Sequence, residues 1–174
     1  PDYSMAQKTG KISYAEFATD PCRSIFKRVT SAFSPPEFGS NANVSISKMG
    51  ESFVALTETP LPITFDPQTL KTLGIVHYDD QLAGQHSTPH PHYDPERRVG
   101  INSITHFSTK SSYNIYAVKD GSTSRNLIGA IAVKEPAYIH SFSITEHYVV
   151  LVEFPLVVNP LQMLISGKPF IENF

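Results

Sequence analysis

The sequence predicts an all-β fold, a propeller in preference to a sandwich, and three observations carry that reading. From residue 43 onward, short apolar runs follow one another at close intervals, each bounded by turn residues. Proline makes up 14 of 174 residues, about 8% against a usual ~5%, and long helical periodicity is nearly absent. The third observation is an internal echo. Phe53-Val54-Ala55-Leu56-Thr57-Glu58-Thr59-Pro60 matches Tyr148-Val149-Val150-Leu151-Val152-Glu153-Phe154-Pro155 in its aromatic, Val, Leu, Glu and Pro positions, 95 residues on. That offset suits two propeller blades of roughly 45–50 residues each.

The first element is a single alternating run at residues 12–17, read as one edge or connecting strand. Asp20-Pro21 then signals a helix start, and Cys22, Ile25, Phe26, Val29 and Phe33 recur at helical spacing with Arg23, Lys27 and Arg28 between them. Pro35-Pro36 stops that short basic amphipathic helix. Its apolar stripe can pack on a sheet or lie in a membrane interface with the basic groups at the head groups, and the residues leave both open. Strands are expected at 44–48, 53–58, 63–65, 70–73, 100–107, 113–118, 128–133, 139–143 and 148–154, with turns at Asp66-Pro67, Lys110-Ser111 and Asp120-Gly121. The chain starts at Pro1 and ends at Phe174 soon after a strand with no closing element, so it reads as an internal piece.

Composition excludes several classes. The net charge of −2 offers no electrostatic case for nucleic acid. One cysteine, Cys22, rules out an intramolecular disulfide and fits a reducing compartment. There is no 18-residue apolar run, no HExxH, no zinc-finger spacing, no glycine-rich phosphate loop and no G-x-S-x-G elbow.

Chemistry concentrates in Thr88-Pro89-His90-Pro91-His92-Tyr93-Asp94-Pro95. Proline fixes φ and removes an N–H, so this is a stiff extended turn that can aim a side chain. His140 lies 50 residues on, in the strand-like Ala137-Tyr138-Ile139-His140-Ser141-Phe142-Ser143. Two histidines on stiff β backbone, far apart in sequence, are what a metal site in an all-β scaffold looks like. Glu58 closes an apolar run, so its carboxylate either travels inward with the strand and needs a partner or sits exposed at a turn. A carboxylate of the first kind commonly holds the second nitrogen of a metal-binding His. His77, His86, His106 and His147 are read as ordinary core or surface residues.

These segments resemble the carotenoid cleavage oxygenase family, in its animal-type branch of β-carotene oxygenases and the retinoid isomerohydrolase. The likeness rests on Glu16-Phe17 through Asp20-Pro21-Cys22 with Ile25-Phe26, Asn41-Ala42 through Gly50-Glu51, Leu56-Thr57-Glu58-Thr59, Asp66-Pro67 with Thr69-Leu70, His90-Pro91-His92, and Ile139-His140-Ser141-Phe142. The resemblance implies a seven-bladed β-propeller with one Fe(II) on its axis, held by four His. It implies that His90 and His140 are two of these ligands, with Glu58 hydrogen-bonded to His140 and His92 structural. Thr57 and Tyr138 match positions near the iron and the substrate cavity.

The implied reaction is cleavage of a C=C bond of a carotenoid or apocarotenoid by O₂, giving carbonyl products. Its alternatives are a retinyl-ester isomerohydrolase-like enzyme and a non-catalytic propeller that binds an apolar ligand. The likeness also favours the membrane reading of residues 21–33 in a cytoplasmic, peripherally membrane-associated protein. Gly39 stands where the lignostilbene-cleaving branch carries a substrate-binding Lys, which argues against a phenolic stilbene. Only two of the four His can be placed. The other two belong to blades beyond Phe174, so residues 1–174 read as part of one propeller domain, inactive by itself.

Overall fold

The computed structural model describes residues 42–49, 52–166, 168 and 170–174. The expected strand at 12–17 and the amphipathic helix with Cys22, Ile25, Phe26, Val29 and Phe33 lie outside the described residues.

The chain from residue 45 runs as antiparallel meanders. Strands β1 (Ser45–Met49), β2 (Ser52–Leu56), β3 (Ile63–Phe65) and β4 (Thr72–Ile75) form the first sheet in sequence order. The second sheet holds β5 (His86–Ser87), β6 (His92–Asp94), β7 (Val99–His106), β8 (Ser111–Lys119) and β9 (Asn126–Val133). Both short strands of that sheet, β5 and β6, pair with β7, which then pairs with β8 and β8 with β9. A hairpin of β10 (Ser143–Ile144) and β11 (Val149–Val150) follows. The described sheets do not close into a ring.

The echo finds a structural counterpart here. Its first copy runs along β2 and its second through β11, each the second strand of a hairpin, with the whole second sheet between them.

The core sits around β7 and β8. Residues 102–105 and 113–116 are buried consecutively, so both faces of these central strands are covered. Ile104, Tyr116 and Val118 form one cluster with Leu82 against it; Tyr113, Ala137 and Ile139 form another with Val133 and Leu151. Between the sheets, Arg125 is pinned by Asp80 through a fork of hydrogen bonds as short as 2.7 Å and lies 4.2 Å over the Tyr78 ring.

Four expectations need correcting. The run at 70–73 is not a strand from Leu70: the Asp66 carboxylate accepts from the Gln68 and Thr69 amides, Leu70 takes a left-handed φ of 57°, and β4 starts only at Thr72. That is an Asx turn overriding an apolar pattern. Residues 139–142 are irregular; Ala137 makes an isolated bridge to Val157, and strand resumes at Ser143. Ile139 and Phe142, three residues apart, are buried there without a ladder. In 148–154 only Val149 and Val150 are strand.

The chain also does carry an element after that hairpin. Helix α1 (Pro160–Ser166) and a 3₁₀ turn at Phe170–Asn173 follow it. The Asn159 side chain caps α1 by accepting from the Leu161 and Gln162 amides, and Pro160 opens the helix, where its missing N–H costs nothing.

Candidate metal centre

His90 projects from a gap in a doubly anchored stretch. On its N-terminal side β5 pairs His86 with Thr105 and Ser87 with Ile104; on its C-terminal side β6 pairs His92 with Ile101. Pro89 and Pro91 supply no amide to that ladder, so the backbone leaves β7 and returns within four residues. Buried side chains hold the excursion. The Thr88 hydroxyl donates to Asn102 Oδ1 (2.5 Å), Asn102 Nδ2 donates to the Thr88 carbonyl (3.0 Å), and the Ser45 hydroxyl donates to the Pro89 carbonyl from the first sheet. His92 turns aside, its Nε2–H donating to the Phe142 carbonyl at 2.7 Å.

His140 comes from the irregular segment after Ala137. Its Nε2 lies 3.1 Å from His90 Nε2, with the two rings edge-on at 70°. Its other nitrogen, Nδ1, lies 2.9 Å from Glu58 Oε1. An ionised carboxylate only accepts, so this contact places the His140 proton on Nδ1 and leaves a lone pair on Nε2 facing His90.

Glu58 is itself tightly held. The Thr57 hydroxyl donates to Oε2 (3.0 Å) and the Tyr138 hydroxyl to Oε1 (3.1 Å). Burial alone would raise its pKa; its own backbone amide and the Thr57, Tyr138 and His140 donors outweigh that and hold it below the ordinary carboxylate range. Thr57 and Tyr138, expected near the substrate, therefore meet as the two hydroxyls that brace Glu58. The Tyr138 ring lies nearly parallel to the His140 ring, 11° apart at 6.5 Å between centroids.

The donor set fits a metal ion. Neighbouring ligands at right angles on an ion bound at about 2.1 Å have nitrogens about 3 Å apart, which is the separation seen. The His140 side chain is 46% exposed, so the site opens outward. Among the described residues, no third His, Cys, Asp or Glu joins to complete a metal-holding group. Two imidazoles with one carboxylate behind them can orient a divalent ion but not enclose it.

Two features escaped the reading of the sequence. His86 is 2% exposed, lies against Tyr138 at 4.7 Å between ring centroids, and has no hydrogen-bond partner for either ring nitrogen among the described residues. No local pattern distinguishes it, because its burial is created by the aromatic rings of Phe107, Tyr138 and Phe170 around it. Tyr113 reaches the His140 segment through its hydroxyl; here a signal existed, in the echo that sets its partner Glu153 opposite Glu58.

Residues 1–174 match the family described as retinal pigment epithelial membrane protein, RPE65. The chain is 34% identical to the beta,beta-carotene 15,15'-dioxygenase of Rattus norvegicus over 92% of its own length and 32% of that protein's. It is also 34% identical to the carotenoid isomerooxygenase of Galleria mellonella over 90% of its length and 33% of the relative's. Among solved structures it is similar in fold to a point mutant of Synechocystis apocarotenoid oxygenase, with a TM-score of 0.72 at 24% identity, covering 99% of this chain and 36% of that one. A lignostilbene dioxygenase from Pseudomonas brassicacearum superposes with a TM-score of 0.68 at 23% identity, over 97% of this chain and 34% of that one. The chain thus spans about a third of the length of the curated relatives it matches.

Proposed function

Because this chain belongs to the RPE65 family of carotenoid oxygenases, we propose that it is part of an iron(II)-dependent dioxygenase that cleaves a C=C bond of a carotenoid or apocarotenoid. The observation that carries the proposal is the pair of Nε2 atoms 3.1 Å apart, with Glu58 behind His140. In this reading His90 and His140 are two of four His ligands, the others and the remaining blades of a seven-bladed propeller come from sequence outside residues 1–174, and this chain alone is inactive. Residues 21–33 supply a peripheral contact with the membrane that delivers the lipophilic substrate, in a cytoplasmic protein.

The iron, when bound, supplies a site for O₂ beside the polyene. The chain's own residues supply orientation. Thr57 and Tyr138 lock the Glu58 carboxylate, Glu58 fixes the His140 tautomer, and the proline-bounded backbone of His90 keeps the second imidazole in place. Neutral imidazoles leave the charge of the ion uncompensated, and Glu58 offsets part of it from a distance. The net reaction adds both atoms of O₂ across one C=C bond, and two carbonyl products result.

A second reading is an isomerohydrolase-like enzyme acting on a retinyl ester with iron as a Lewis acid; the match to the RPE65 family supports it. The two separate by isotope. With ¹⁸O₂, the whole protein acting as a cleaving oxygenase places one labelled oxygen in each carbonyl product, whereas the isomerohydrolase reaction takes none from O₂. A whole protein that binds no iron would leave only a non-catalytic propeller that holds an apolar ligand.

A further inference from the structure

The backbone that carries His140 has little regular structure to hold it. On one side it is tied to the following segment by Tyr138 N–H to the Leu156 carbonyl (2.9 Å) and Val158 N–H to the Pro136 carbonyl (3.0 Å). From the second sheet a side chain reaches the start of the segment. The Tyr113 hydroxyl, from the centre of the second sheet, accepts the Ala137 N–H at 2.6 Å and donates its own proton to Glu153 Oε1 at 2.8 Å. Both directions are fixed, because an amide can only donate and an ionised carboxylate can only accept. A hydroxyl whose proton is drawn toward a carboxylate is a better acceptor, so the Glu153 charge strengthens its hold on Ala137.

Ala137 is three residues before His140, and the two residues between are anchored as well. Tyr138 bonds Glu58, and Ile139 is 1% exposed in the cluster that holds Tyr113 and Ala137. A shift at Ala137 therefore has no slack in which to dissipate before it reaches the imidazole. The echo adds an independent relationship: Glu153 occupies in the second copy the position of Glu58 in the first. One glutamate grips the imidazole directly, and its counterpart grips the backbone of the same segment through Tyr113.

We propose that the Tyr113 hydroxyl, held by Glu153, is a positioning group that sets the placement of His140 toward His90. This rests on the reading of those two histidines as iron ligands. Burial first, then the neighbouring Glu153 charge, push the Tyr113 phenol up to about 12, so it keeps the proton that this arrangement uses across the neutral range.

The test uses the whole protein loaded with iron(II), comparing Tyr113→Phe with Val118→Ala. Val118 is buried on the same strand but packs in the other cluster, with Ile104 and Tyr116, and its side chain carries no polar atom. The readouts are the EPR spectrum of the nitric oxide adduct, iron release to a chelator, and kcat with KM. Tyr113→Phe is expected to shift the EPR rhombicity, speed iron release about 10-fold and lower kcat about 10-fold with KM little changed. Val118→Ala is expected to leave all of these at wild-type values.

A wild-type spectrum and release rate in Tyr113→Phe would overturn the proposal, as would equal shifts in both variants, which would mark a general effect on packing. If Tyr113→Phe does not fold, Glu153→Gln, at an exposed position, carries the test. Faster iron release than wild type supports the proposal, and an unchanged rate overturns it. A wild-type protein that takes up no iron overturns the ligand reading itself, a result distinct from iron-loaded variants that fail to respond.

Discussion

The Nε2 atoms of His90 and His140 lie 3.1 Å apart although fifty residues separate them in the chain. His140 presents a lone pair there because its proton is held at Nδ1 by Glu58. Replacing either histidine by Ala is expected to reduce iron in the whole protein from near one per chain to a trace, measured by elemental analysis. Stoichiometric iron in either variant would remove these residues as ligands.

Glu58→Gln keeps an oxygen that can accept from His140 but removes the charge. Outer partners of this kind are worth roughly 10- to 100-fold in metal affinity, and a loss in that range is the expected result of chelator competition. Unchanged affinity would show that the carboxylate is there to satisfy the Thr57 and Tyr138 hydroxyls alone.

His86 makes stability depend on pH. Burial first, and the nearby His140 after it, depress its pKa from 6.5 to about 4, against a partial pull upward by Glu58. The unfolded chain takes up this proton below about pH 6.5 and the folded chain only near pH 4. Stability therefore falls as the pH drops through that window, by on the order of 3 kcal/mol in total, and is unaffected above it. Urea unfolding at pH 7 and pH 5 should show the loss, and His86→Phe should remove most of it. At pH 7 the same variant is expected to gain about 1–3 kcal/mol, since it removes two ring nitrogens that have no partner among the described residues. An unchanged pH slope in His86→Phe would assign the titration elsewhere.

Arg125 joins the connection after the first sheet to the start of β9. It donates to both Asp80 oxygens and to the Leu82 carbonyl at 2.6 Å, and its side chain is 8% exposed. Arg125→Ala strands a partly buried carboxylate and should cost on the order of 3 kcal/mol. Arg125→Lys should recover little, because an ammonium cannot reproduce the planar fork.

The same pair carries an acid signature. Burial by itself would raise the Asp80 pKa, but the Arg125 hydrogen bonds outweigh it and hold the carboxyl below its usual range. Its stabilisation is present above the ordinary carboxylate pKa and is lost as the pH falls through the depressed value. Asp80→Asn should therefore flatten the acid limb of the stability profile; an unaltered limb would show that other carboxylates set it.

Much of the architecture was legible because it is written locally. Short apolar runs between turn residues placed β1, β2, β3 and the three long strands of the second sheet, and two prolines around His90 marked a stiff excursion in the backbone. What failed also failed for local reasons of another kind. An Asx turn at Asp66 outranked the apolar run behind it, and the Asn159-Pro160 cap before α1 is a helix start that the preceding β pattern masked. At 139–142 Ile139 and Phe142 are buried without pairing, since apolar content alone does not say whether a partner strand is present.

Residue type and backbone stiffness are properties of the chain itself, and they were readable from it: a β-rich succession, a proline-bounded His90, a Glu58 that closes an apolar run, and an echo that repeats the glutamate. Which of these meet is a matter of three-dimensional packing. Glu58 and His140 are 82 residues apart, and their 2.9 Å contact exists because the second sheet folds between them and returns the chain to the end of β2. The burial of His86 and the reach of Tyr113 to Ala137 are likewise products of packing. Burial and long-range hydrogen bonds depend on distances across the fold, and distance along the chain does not encode them.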